Sequence, residues 1–149
     1  MNNADIERRL ENLLRIGTIS AVNHQDKLVK VSTGKLVTQW LPWPADIGKN
    51  YIRWRPLRLN TQVILACISG DPAQATIIGT LYSNNLTPLS SDHNIDVIAF
   101  DDGSYLEHHQ GNKTLKFHSA GDFTITAAGN IDITAQGNAQ INATRVDIN

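Results

Sequence analysis

Hydrophobic and polar residues alternate strictly near the C-terminal end of the chain, in a unit that repeats every eight residues. The units read GDFTITA at 121–127, GNIDITA at 129–135 and GNAQINA at 137–143. Each begins with a Gly-Asp or Gly-Asn turn, at Gly121, Gly129 and Gly137, and continues with the period-two pattern of a strand that buries one face. The pattern therefore predicts a turn and a short strand in every unit.

The apolar positions of this repeat would all lie on one face, and a single chain has nothing to cover them. A four-stranded meander with one apolar face and two open edges is marginal in water. The simplest neighbours are identical chains wound about a common axis, so the sequence predicts an intertwined homotrimer, a triple-stranded β-helix in the form of a prism. The residues predicted on the threefold axis are Phe123, Ile125, Ile131, Ile133, Ala139, Ile141, Val146 and Ile148.

The earlier part of the chain predicts a helix and a barrel. Residues 1–15 contain a short amphipathic helix, with Ile6, Leu10, Leu13 and Leu14 on one face. About five short strands and a long aromatic loop are typical of an OB-like β-barrel, placed at residues 16–83. Residues 84–94 are rich in turn-forming residues and predict a linker, and residues 95–149 form the shaft. The predicted fold class is therefore all-β.

Composition and charge exclude several classes of protein. With 41% hydrophobic and 18% charged residues the chain is ordinary for a globular protein, and no apolar run approaches the roughly 18 residues of a membrane span. The N-terminus lacks the pattern of a signal peptide, so we expect synthesis in the cytosol. The single Cys67 lies in an apolar strand and is expected to be a buried core residue.

The net charge of −1 hides a difference between the two ends of the chain. Residues 1–60 carry ten basic and five acidic residues, whereas the remainder carries three basic and nine acidic ones. The difference indicates either two ordinary solvated surfaces or a basic end that docks on an acidic partner.

The sequence contains no catalytic motif. Asp101 and Asp102 are adjacent, and adjacent strand residues face opposite sides, so they cannot act as an acid and base pair on one bond. No phosphate-binding loop, nucleophile motif or cluster of metal ligands occurs. We therefore expect a protein that is not an enzyme and that needs no cofactor.

The aromatic loop leaves a second function open. Its tryptophans and arginines could stack bases and bind phosphates, as some OB folds do, which would make the chain an OB-fold binding module for oligonucleotide or protein with a C-terminal trimerisation stalk. A sequence pI near 6.5 argues against nucleic acid as the partner. The tryptophans are then expected to fill the barrel core or to contact neighbouring subunits. The residues concerned are Trp40, Trp43, Trp54, Arg53, Arg55 and Arg58.

His108 is a weak candidate for metal binding. If Leu106 faces the axis, strand alternation places His108 there too, and threefold symmetry would form a ring of three imidazoles able to hold an ion or water. A slip of one residue in register would send the side chain outside. His109 and His118 are expected to be ordinary surface residues.

Several motifs, in this order, resemble the baseplate assembly protein V family, the central spike proteins of contractile phage tails and tailocins. They are Trp54-Arg55-Pro56, the strand at 63–69, Gly70-Asp71-Pro72, Ala75, Gly79, Tyr82, and the segment FDDGSYLE at 100–107 that leads into the repeats. The likeness runs from about residue 15 to the end. It implies a virion or tailocin homotrimer, assembled in the bacterial host cytoplasm, whose OB domain joins the tail hub. It further implies that the shaft pierces the host outer membrane when the sheath contracts.

The C-terminal end departs from this family. Such spikes commonly end in a tip with a His-X-His pair that binds a metal, but none of the five histidines lies in the last thirty residues. We therefore expect either a separate tip protein on a blunt shaft or a tip that has been removed from this chain.

Overall fold

The computed structural model describes residues 2–148, which divide between Ser91 and Asp92 into two compact units. The first unit contains a helix and a six-stranded sheet, and the second contains a three-stranded sheet and the eight-residue repeat. Among the described residues, no helix is both long and apolar enough to cross a membrane.

The first unit is an antiparallel sheet preceded by a helix. Its sheet has the strand order β3-β2-β1-β7-β8 with β4 also paired to β2, and β5 and β6 form a separate hairpin. The elements are α1 (Asn3–Glu11), β1 (Leu14–Asn23), β2 (Leu28–Thr33), β3 (Leu36–Val37), β4 (Leu41–Pro42), β5 (Asp46–Ile47), β6 (Ile52–Arg53), β7 (Gln62–Cys67) and β8 (Ala75–Leu81), with short 3-10 helices at Ile68–Gly70 and Pro72–Gln74.

The core of this unit comes from every second residue of its strands. Buried and half-buried positions alternate along β2 and β7, and register shifts in the β1–β2 and β7–β8 pairings bend the sheet around one apolar centre. This arrangement is consistent with the predicted OB-like domain. Cys67 is buried, as predicted, and burial raises the pKa of its thiol. The core residues are Ile19, Val29, Val31, Leu41, Val63, Leu65, Cys67, Ala75 and Ile77.

Helix α1 is shorter than predicted. The Asn2 side chain caps its start by accepting a hydrogen bond from the Asp5 backbone N–H at 2.9 Å. At the other end, Leu14 already belongs to β1, where it pairs with Ala66 of β7. The placement of Leu13 and Leu14 on a helical face was therefore wrong, because a ladder of five residue pairs with β7 outweighs the extension of a marginal helix.

Gly70 sets how closely α1 packs against the 3-10 helix at Ile68–Gly70. Its φ is +72°, and an added Cβ would lie 2.6 Å from the backbone oxygen of Arg9. We expect Gly70→Ala to displace α1 and to lower the free energy of unfolding by roughly 1–3 kcal/mol, measured by urea denaturation. Gly79→Ala is the control, because its Cβ would meet only Ile64 at an ordinary 3.7 Å. Equal losses in the two variants would contradict this packing.

The second unit begins with an antiparallel meander of three strands, β9 (Ile95–Ala99), β10 (Tyr105–His109) and β11 (Thr114–His118), in the order β11-β10-β9. In the turn before β10, the Asp102 carboxylate accepts a hydrogen bond from the Ser104 backbone N–H at 2.8 Å, and this bond lowers the pKa of Asp102. Gly103 follows with a φ of +93°. Beyond His118, residues 119–148 contain no strand.

Candidate assembly interface

The repeat is an extended chain that bends every eight residues. Bends occur at 120–121, 128–129, 136–137 and 144, so three of them coincide with the predicted turn residues Gly121, Gly129 and Gly137. No backbone–backbone hydrogen bond joins any two of residues 119–148. Unpaired backbone groups along an extended chain are a template for pairing with other chains. The predicted strands thus do not form within one chain, because each extended segment lacks a neighbour there.

All the predicted axis residues are exposed in the single chain. Ile133 is 83% exposed and Phe123 is 66% exposed. The other six are exposed as well, namely Ile125, Ile131, Ala139, Ile141, Val146 and Ile148. Large apolar surfaces of this kind usually mark a site of association. The axial position of these residues itself stays a prediction, since it depends on chains beyond this one.

The turn glycines make no close contact within the chain. A Cβ added at Gly121, Gly129 or Gly137 would meet no atom within 4 Å, and none of the three has a left-handed φ. The preference for glycine at these bends therefore has no explanation within a single chain.

One face of the meander, here called its apolar face, carries four large apolar residues, Ile98, Leu106, Leu115 and Phe117. Leu106 in the central strand pairs with Phe117 on one side and with Ile98 on the other. Phe117 is 65% exposed, and Ile98 and Leu115 are exposed too. An exposed apolar face of this kind marks a site of association. From the sequence alone, Leu106 was the only one of these four apolar residues considered for this face. The alternation in Leu115-Lys116-Phe117 also indicates a strand with one apolar face.

The opposite face of the meander carries the apolar Ile95, Val97 and Ala99 of β9 beside residues that make polar contacts with one another. Tyr105 stacks on His118 with ring centroids 5.0 Å apart, Lys116 Nζ lies 3.9 Å from the Glu107 carboxylate, and His109 Nε2 lies 3.7 Å from that of Asp92. These contacts are typical of a solvated face. His108 is exposed on the apolar face, where alternation from Leu106 predicts it.

A second apolar surface lies on the outside of the barrel sheet. Leu14 and Ile16 on β1 stand opposite Ala66 and Ile64 on β7, on the face away from the core. Leu14 is 63% exposed and Ile78 on β8 is 58% exposed. Sequence reasoning missed this surface because Leu14 was assigned to the helix and because near-continuous apolar runs do not show which face is buried.

The aromatic loop forms a groove of about 230 Å³ around the β5–β6 hairpin. Trp43 stacks on Trp54 at 5.3 Å between ring centroids, and the Trp43 indole N–H donates to the Arg55 carbonyl at 3.3 Å. Trp54 is 57% exposed and Trp40 is 43% exposed, which excludes the barrel core for these two residues, while contact with neighbouring subunits stays a prediction. The core is built of aliphatic residues, which leaves the tryptophans available to other molecules. The groove is lined by Lys27, Trp43, Pro44, Ala45, Asp46, Ile47, Ile52, Arg53, Trp54 and Arg55.

Metal ligands do not cluster in the part of the chain that the structure describes. Among residues 2–148, no group of three or more His, Cys, Asp or Glu side chains is placed to hold a metal ion. The features that stand out are therefore surfaces suited to association with other chains.

Two comparisons with known proteins each found a match. Residues 15–82 match the family model of the type VI secretion system/phage-baseplate injector OB domain. The chain is also 26% identical over 134 residues to the spike protein of Escherichia phage P2, an alignment that covers 84% of this chain and 63% of the phage protein. The chain thus spans less than two thirds of the length of this curated relative. Both matches support the baseplate spike family, with residues 15–82 similar to its injector OB domain.

Proposed function

We propose that this chain is a structural subunit of a contractile-tail baseplate, a trimeric spike shaft that punctures the host outer membrane when the sheath contracts. The observation that carries the proposal is the repeat, which is extended, bends every eight residues and exposes its apolar side chains without any backbone pairing of its own.

A single chain has no means of holding the repeat in this form. Fixing one backbone residue costs about 1–2 kcal/mol of conformational entropy. Residues 120–148 are all exposed, so neither apolar burial nor ladder hydrogen bonds within the chain offset that cost. Two further copies would supply both, because each extended segment would pair with segments of its neighbours and turn its apolar residues to a common axis.

The meander supports the same proposal. Its apolar face, defined above, is the surface that three copies would bury together. Its opposite face, with the Lys116–Glu107 and His109–Asp92 contacts, would remain in water. Residues 95–149 would then form one continuous shaft.

The mechanical role requires stiffness and no chemical turnover. Unfolding an intertwined shaft requires the separation of three chains together, so the shaft resists the load when it is pushed. Its outer face would carry Thr, Asn, Gln and few charged residues, which suits passage through lipid headgroups. The outward residues are Thr124, Thr126, Asp132, Thr134, Gln140 and Asn142.

The first unit is proposed to join the shaft to the tail hub within a virion or tailocin particle. It carries ten basic and six acidic residues, which suits an acidic partner surface. It also exposes two apolar surfaces, the outer face around Leu14 and Ile16 and the Trp43–Trp54 groove.

The mass in solution tests the shaft directly. We expect the full chain to be a trimer and residues 1–91 to be a monomer, measured by light scattering during gel filtration. Residues 1–91 form a compact unit with a core of their own, so they serve as a folded control. A monomeric full chain would contradict the proposal, and a trimer of residues 1–91 would move the assembly site to the first unit.

The stacked tryptophans favour a second candidate function, an OB-fold module that binds single-stranded nucleic acid. Lys27, Arg53 and Arg55 lie beside the groove and could contact phosphates. Asp46 lies 4.0 Å from Arg53 and reduces that positive charge, which is why we rank this function second. Quenching of tryptophan fluorescence by a short oligonucleotide at physiological salt would favour the module, and unchanged fluorescence would favour the spike.

A further inference from the structure

His108 and Asp96 are polar residues on the apolar face of the meander. They stand directly opposite each other in the β10–β9 ladder, and His108 stands opposite Leu115 on its other side. Both side chains are exposed. Within residues 2–148, neither side chain has a hydrogen bond or an ion pair.

The other two histidines of the meander differ from His108 in this respect. His109 points to the opposite face, where its Nε2 lies 3.7 Å from the Asp92 carboxylate and its Nδ1 accepts a hydrogen bond from the Asn112 backbone N–H. His118 is stacked on Tyr105. His108 and Asp96 thus have no side-chain partner on the face that the proposed trimer would cover.

We propose that three copies of His108 and Asp96 form a layer on the shaft axis that binds a divalent transition-metal cation. The site is incomplete in one chain, and the inference rests on the proposed function because it needs the trimer. Threefold symmetry would bring three imidazoles and three carboxylates into an apolar interior. Three ionised carboxylates are costly there unless a cation neutralises them.

The mixed set of ligands selects the class of metal. Imidazole nitrogen with carboxylate oxygen suits zinc, cobalt or nickel, whereas calcium and magnesium prefer ligand sets made only of oxygen. Asp96 is the only charged neighbour of His108 on this face of the meander. The other residues of the face are apolar, namely Ile98, Leu106, Leu115 and Phe117. Protons on the three imidazoles would be the other way to balance the charge.

The experiment uses the full chain, stripped with a chelator and shown by light scattering to be a trimer. Zn²⁺ is titrated by calorimetry, and Co²⁺ is followed by its visible absorption. We expect one ion for every three chains and a cobalt spectrum with nitrogen ligands. The affinity should fall at least tenfold in His108→Ala and in Asp96→Asn, and it should stay unchanged in His109→Ala, the control on the opposite face.

The outcomes separate this site from the shaft itself. A trimer that binds no ion, or that keeps its affinity in His108→Ala, would overturn the metal layer and leave the shaft intact. A trimer that binds no ion but becomes more stable at low pH would show that protons on the imidazoles balance the carboxylate charge. That result would also overturn the proposed metal site. A monomeric chain would overturn the shaft and the site together. If His108→Ala does not assemble, two measurements still test whether this layer binds the metal. They are the cobalt spectrum of the unaltered chain and the affinity of the nearly isosteric Asp96→Asn variant.

Discussion

Ile133→Asp is expected to abolish the trimer. Ile133 is 83% exposed in the single chain, so a carboxylate there costs the isolated chain almost nothing. On a threefold axis the same change would bury three carboxylates beside one another. The effective cost is several kcal/mol for each buried ion, in addition to the lost burial of three isoleucine side chains. The contrast between a harmless change in one chain and a severe one in three makes this variant a sharp test of the axis.

The measurement is the solution mass of the variant beside that of the unaltered chain. Thr134→Asp is the matched control, because the neighbouring residue in an extended segment points to the other face. We expect Ile133→Asp to be monomeric and Thr134→Asp to remain a trimer. An unaltered trimer in Ile133→Asp would show that the axis assignment is wrong, and equal loss in both variants would point to charge alone.

The sequence predicted the parts of the fold that local pattern determines. The apolar run around Cys67 correctly indicated a strand, β7, in which Cys67 is buried. The eight-residue period likewise appears as bends near Gly121, Gly129 and Gly137. In each case the signal lies in the local order of the residues, which needs no knowledge of distant contacts.

The errors arose where contacts distant in sequence decide the structure. Leu14 fits a helical face as well as a strand, and only its pairing with Ala66 makes it part of β1. For Trp54 the sequence left the core and a contact with neighbouring subunits as alternatives, and aliphatic residues fill the barrel instead. The apolar face of the meander was found only at Leu106, because its other members lie on three strands whose register the sequence does not show.

Leu65→Ala is expected to lower the stability of the first unit by about 2–5 kcal/mol. Leu65 is 0% exposed in β7, where it pairs with Arg15 on one side and Ile77 on the other, at the centre of the aliphatic core. The truncation removes buried methyl groups and leaves a cavity that the surrounding strands fill only in part. For a domain of this size, that loss is a large fraction of the total stability.

Urea unfolding of residues 1–91, followed by tryptophan fluorescence, measures this effect. Ile78→Ala is the control, since Ile78 is 58% exposed on the outer side of β8 and should cost less than about 1 kcal/mol. Similar losses in both variants would contradict the assignment of the two faces. In the full chain, Leu65→Ala should leave the trimer mass unchanged below the unfolding transition, because the residues proposed for the axis all lie in the second unit. A variant that lost both its barrel and its trimer would instead show that assembly depends on the folded first unit.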